Sequence, residues 1–184
     1  TFNVPLIKFG ATYYKVTYTS VDAKGEPDIL SGLLLVPDDV NFKYPALVYQ
    51  HGTSDCKTCV PSRLGSSGGD EGKIGLLFAG MGFVSILPDL VGMGDSRGFQ
   101  TYVQASTTMS ATEHMVQAVR SWAPDHGIAM NDQLFITGYS QGGYSSMVFQ
   151  EGMQNKFGAS SVTAAAHMSG PYSLSGTMRD LILS

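Results

Sequence analysis

Ser140 is the residue of this sequence best placed to do chemistry. It stands in Gly138-Tyr139-Ser140-Gln141-Gly142-Gly143, directly after the apolar run Leu134-Phe135-Ile136-Thr137. The spacing fits a nucleophile elbow, in which the chain leaves a buried strand, reverses and enters a helix with the serine strained at the tip. Gly138 and Gly142 are then steric needs, because a Cβ at either would collide with the neighbouring strand or helix. The pattern G-x-S-x-G arises readily by chance in a chain with 22 Gly, and it occurs three times. Ser67 follows no strand pattern and Ser96 comes several turn-forming residues after its strand, so context selects Ser140.

A serine hydroxyl is a weak nucleophile at neutral pH. It needs a base within hydrogen-bond reach and donors for the oxyanion that develops in acyl transfer. The backbone N–H of Gln141, at the positive end of the following helix, is one expected donor. The second is assigned to the loop after the third strand, His51-Gly52-Thr53-Ser54, with Thr53 N–H as the choice and its hydroxyl as an extra donor. Such chemistry calls for no metal or organic cofactor. Among the histidines, His167 follows the serine and is read as a strand histidine hydrogen-bonded near the sheet edge. His51 is read as shaping the oxyanion loop, and His114 and His126 as surface or packing residues. None is a good base. Asp180, the only aspartate after Ser140, comes after His167.

Other motifs carry less. Cys56 and Cys59 form a C-x-x-C without the second ligand pair of a zinc site, and Pro61 and Gly65 argue against the helix of a redox motif. A loop-stapling disulfide and two free thiols both remain open, the former implying an oxidising compartment. Gly72-Lys73 lacks the glycine and hydroxyl residue of a phosphate loop, having Ser67 and Ile74 instead. Gly92 and Gly94 lack the third glycine of a dinucleotide fingerprint, where Arg97 stands.

The elements that must position these residues follow from periodicity. Ala11 to Val21 and Ile29 to Val36 read as strands of an antiparallel hairpin across Ala23-Lys24-Gly25-Glu26-Pro27. Ala46 to Gln50, Phe83 to Leu87 and Leu134 to Thr137 are short apolar runs of the kind buried on both faces of a parallel sheet. Between them, Ile74, Leu77, Phe78 and Met81 mark one helical face after an Asp70 N-cap, with Gly82 closing the helix. Met109, Thr112, Val116, Val119 and Trp122 mark a second face, ending at Pro124. A helix through Met147 and Val148 stops near Gly158, and a strand from Ser161 to Met168 follows. The alternation predicts an α/β fold: a mostly parallel sheet with helices on both faces.

Composition is compatible with this. The 184 residues, 43% hydrophobic, suit one domain with a real core. Only 14% are charged and the net charge is -4, which disfavours nucleic acid as a partner. No apolar run approaches the roughly 20 residues that span a bilayer, and no leader pattern opens the chain, although a start at Thr1 fits processing or trimming.

In order and spacing, His51-Gly52-Thr53, Cys59-Val60-Pro61-Ser62, Pro88-Asp89, Gly92-Met93-Gly94-Asp95-Ser96, the elbow and Gly170-Pro171-Tyr172 resemble the α/β-hydrolase superfamily, and more narrowly secreted lipases and esterases. The resemblance implies an eight-stranded sheet, hydrolysis of small-molecule or lipid carboxylic esters, a secreted or periplasmic location, and a structural role for the Asp95-Ser96 turn. It also implies an acid and then a histidine after the serine, an order that Asp180 and His167 do not satisfy. The residues after Ser140 must first supply a helix and a strand, and a further βαβ unit needs about 30 more. The expectation is therefore a single domain over residues 1-184 that is the N-terminal portion of a hydrolase, truncated after about the sixth strand. Acid and base would lie on missing sequence or on a second polypeptide, and the strand around Ala164 would be an unpaired edge. The alternatives are peptidase or acyltransferase chemistry on the same elbow, or a catalytically silent domain that binds a ligand in the old cleft.

Overall fold

The computed structural model describes residues 6-66 and 70-184. Ser67 and the centre of the Gly65-Gly69 loop lie outside the described residues. The hairpin forms as expected. Strands β1 (Ala11–Val21) and β2 (Pro27–Pro37) pair antiparallel with Thr17 opposite Ser31. Their turn is closed by the Asp22 carboxylate, which accepts from the amides of Lys24 and Glu26.

Four parallel strands follow: β3 (Tyr44–Gln50), β4 (Val84–Pro88), β5 (Met130–Tyr139) and β6 (Ala164–Met168). The sheet order is β1-β2-β4-β3-β5-β6, with β2 antiparallel to β4. The central strands β3 and β4 are buried almost throughout, which is why they read as unbroken apolar runs. β6 is largely exposed, pairs among the described residues with β5 alone and starts three residues later than the sequence suggests, because Ala159–Ser161 forms a 3-10 turn.

Side chains alternating along the strands feed two cores. On one face Leu34, Val48, Ile86 and Ile136 pack with Met115, Val116 and Val119 of α2 (Ala105–Trp122) and Phe149 of α3 (Gln141–Phe157). On the other, Leu33, Leu35, Leu47 and Leu87 pack with Ala79 of α1 (Lys73–Gly80). The period-two split between Leu33/Leu35 and Leu34/Val36 is what lets β2 serve both cores.

The α1 face differs from expectation at Leu77. Gly75, Ala79 and Gly80 turn to the sheet while Leu77 is exposed. Ile74 and Phe78 pack against this core as expected, but the helix lies so close to the strands that a Cβ on Gly75 would strike the Leu35 side chain, so glycine rather than Leu77 makes the closest approach. Asp70 is not the helix cap: it opens a 3-10 turn, Asp70–Gly72, and pairs with Lys73. After β6 a π-type turn at Leu174–Met178, capped by the Ser173 side chain, leads into α4 (Arg179–Leu183). Among the described residues, no helix is long and apolar enough to cross a membrane.

Candidate active site

The elbow is built as its sequence requires. Ser140 joins β5 to α3 with φ 57° and ψ -122°, a conformation that a non-glycine residue holds only when its surroundings impose it. Three contacts impose it. Ser140 N–H donates to Met168 O on β6 at 3.0 Å, and Gly143 N–H and Tyr144 N–H donate back to Ser140 O. A Cβ on Gly138 would run into the Gly142 carbonyl, and one on Gly142 into that of Gln50, so both glycines are needed for helix and strands to approach.

Register places the expected oxyanion residues together. Gln50 of β3 pairs with Gly138 of β5 on parallel neighbours. Three residues beyond each stand Thr53 and Gln141, and a Cβ on Gly52 would lie 3.7 Å from the Tyr139 carbonyl, so the two loops touch. Gln141 is buried and is the first residue of α3, where its N–H has no intrahelical acceptor.

Three devices hold the Thr53 loop. His51 is fully buried, with Nδ1 2.7 Å from Gly52 O and Nε2 3.2 Å from Asp89 O, the loop-shaping role expected of it. The Asp89 carboxylate is equally buried and accepts from Ser31 Oγ and Ser62 N–H. Cys56 and Cys59 form a disulfide, which resolves the open alternative, and Ser54 Oγ donates to the carbonyls of both cysteines.

The competing serine is structural. Ser96 is fully buried, donates to Asp28 Oδ2 at 2.8 Å and accepts from Gly92 N–H. Burial alone would raise the Asp28 pKa, but hydrogen bonds from Ser96 Oγ and from Arg97 N and Nε outweigh it and hold the carboxyl below the ordinary aspartate value. Asp95 pairs with Lys15 and Arg63.

Every histidine is engaged away from Ser140. His167 sits between Ser146 Oγ, 2.8 Å from Nδ1, and Gln150 Oε1, 2.6 Å from Nε2, and burial lowers its pKa. His114 meets Ser20 Oγ, and His126 stacks on Trp122 at 3.9 Å. Among the described residues, the Ser140 hydroxyl has no side-chain hydrogen-bond partner, and no group of three or more His, Cys, Asp or Glu is placed to hold a metal ion.

Two neighbours of the site carry no signal in the sequence. Glu71 Oε2 accepts from Tyr49 OH at 3.4 Å beside Gly52, and burial followed by the Glu71 charge pushes the Tyr49 phenol up to about 12. The segment after β4 brings Gln100 to Gln141 and Tyr102 to Thr53. These contacts join residues more than 20 positions apart, beyond the reach of any local pattern.

No protein-family model matches the chain, and no curated protein matches it by sequence. Solved structures do. The structure of a protein named as a putative hydrolase, from Legionella pneumophila, superposes with a TM-score of 0.86 at 30% identity, over 96% of this chain and 47% of that one. The rice cell wall degrading esterase LipA from Xanthomonas oryzae, as its G231F mutant, gives 0.85 at 27% identity, over 95% and 46%. Esterase Est22, at 17% identity and 0.66 over 88% and 44%, shares the fold. The chain thus spans about half the length of the structures it matches. With the strand order, the elbow between β5 and α3 and these superpositions together, the chain has the α/β-hydrolase fold over most of its length.

Proposed function

We propose that the protein is a serine hydrolase that cleaves carboxylic esters through an acyl-enzyme on Ser140. Ser140 Oγ attacks the ester carbonyl carbon, the alcohol leaves with a proton delivered by a general acid, and water then releases the acid product. Gln141 N–H and Thr53 N–H hold the oxyanion in both steps. The observation that carries the reading is the strained Ser140 at the mouth of α3, with the Thr53 loop in register beside it. Hydrolase and esterase structures among the superposed proteins support it.

The base and acid of this reading come from residues beyond these 184 or from a second polypeptide, because all four histidines are committed elsewhere. Exposed Tyr139 and Met168, paired across β5 and β6 beside the serine, suit an apolar ester group, as in a small-molecule or lipid ester. The Cys56–Cys59 bridge favours a secreted or periplasmic location. A catalytically silent binding domain is the second reading, favoured by the unpartnered Ser140 hydroxyl. A fluorophosphonate probe applied to the full-length protein separates them. Labelling at Ser140, lost together with ester turnover in Ser140→Ala, is expected of the enzyme; an unlabelled protein without turnover is the binding domain.

A further inference from the structure

One short segment touches the side chains of both residues assigned to the oxyanion hole. Gln100 Nε2 donates to Gln141 Oε1 at 3.4 Å, and Tyr102 OH lies 3.5 Å from Thr53 Oγ1. Each contact is long and weak by itself. Their common origin in three consecutive residues is what gives them a role, because Gln141 belongs to α3 and Thr53 to the loop after β3.

The segment is anchored on both sides of this bridge. At its start, the Phe99-Gln100 peptide lies on Gly92, whose φ of 80° and lack of a Cβ leave the space for it. At its end, Thr101 Oγ1 meets Thr107 Oγ1 at 2.7 Å, and Thr107 Oγ1 also donates to Gln104 O, tying the segment to the first turn of α2. Val103 has φ 47°, a costly conformation for a β-branched residue, which only a segment held at both ends would retain. Tyr102 itself stays half exposed.

The geometry points to Gln100 and Tyr102 as positioning residues that set the separation of the two oxyanion donors, Gln141 N–H and Thr53 N–H. This rests on the assignment of Ser140 as nucleophile. The segment ties the two donor-bearing loops to each other, so that neither N–H drifts as charge builds on the carbonyl oxygen. Misplacement of a catalytic group by about 1 Å can cost roughly 100-fold, so loosening one weak tie is expected to cost about tenfold.

The test is steady-state hydrolysis of p-nitrophenyl butyrate by the full-length protein. Tyr102→Phe and Gln100→Ala are each expected to lower kcat about tenfold with KM changed less than about twofold, since the donors act on the transition state rather than on bound ester. Thr53→Val keeps the backbone N–H but removes the hydroxyl that Tyr102 meets. The double variant Thr53→Val/Tyr102→Phe should then be no slower than Thr53→Val alone. A change confined to KM, an unchanged kcat, or additive losses in the double variant would overturn the inference. Gln100→Ala keeps the test open should Tyr102→Phe lower the folded fraction. Normal Ser140 labelling with additive losses removes this inference alone, whereas ester turnover that persists in Ser140→Ala removes the nucleophile assignment and this inference together.

Discussion

The amide of Ser140 donates to the carbonyl of Met168 at 3.0 Å, so the serine is pinned from β6, the exposed last strand of the sheet. A neighbouring close approach makes the elbow intolerant of a single methyl group. A Cβ on Gly142 would meet the carbonyls of Gln50 and His51, which are buried backbone atoms at the end of β3 and just beyond it and cannot swing aside. Gly142→Ala is expected to destabilise the fold by about 1–3 kcal/mol as an overpacked site and to suppress fluorophosphonate labelling of Ser140. Urea unfolding and a labelling time course measure the two effects; full labelling in a normally stable variant would contradict the elbow geometry.

The Cys56–Cys59 bridge closes a very short loop, so its stabilisation on chain-entropy grounds is modest, about 2 kcal/mol. Its local effect should be larger. Ser54, the residue after Thr53, donates through Oγ to the carbonyls of both cysteines, and Gly94 N–H donates to Lys57 O inside the loop. Cys56→Ser/Cys59→Ser is therefore expected to lower Tm by several degrees and to slow ester turnover more than the Tm shift explains, read at a temperature well below both transitions.

Much of this arrangement was legible before the structure, and the parts that were not share a cause. The strands β1 to β5 could be read because short β-branched or apolar runs sat between turn residues, and Ser140 because strand, glycine and helix followed without a gap. His51 and His167 hydrogen-bond away from Ser140, as their reading as a loop residue and a strand residue expects. On α1, Ile74 and Phe78 pack as read but Leu77 does not, because hydrophobicity ranks Leu77 above Gly75 whereas the narrow gap to Leu35 and Leu87 admits only the glycine. Asp70 had the right residue type for a cap but pairs with Lys73 at a 3-10 turn. The contacts of Gln100 and Tyr102 depend on where three separate loops meet, which no window of sequence encodes.

Asp28 holds the turn that follows β4 to the hairpin. Its carboxylate is almost fully buried and accepts from Ser96 Oγ, Arg97 N–H and Arg97 Nε. Asp28→Ala would leave the buried Ser96 hydroxyl and the Arg97 amide without their acceptor, at an expected cost of about 2–4 kcal/mol. The loss should appear in the midpoint of urea unfolding. A change within experimental error would show that water replaces the carboxylate.

His167 gives the fold a pH dependence of known sign. Burial holds its pKa below the ordinary value of 6.5, with Ser146 and Gln150 on either side of the ring. The unfolded chain therefore takes up the proton first as pH falls. The stability owed to the neutral ring is complete above about pH 6.5 and is lost as pH drops through the lower folded-state value. Urea unfolding between pH 8 and pH 5 should show this loss, and His167→Gln should flatten it. Because His167 faces α3 rather than Ser140, the same variant should keep fluorophosphonate labelling of Ser140 within about twofold, whereas loss of a general base costs roughly 100-fold or more. A collapse of labelling in folded His167→Gln would make this histidine the base after all.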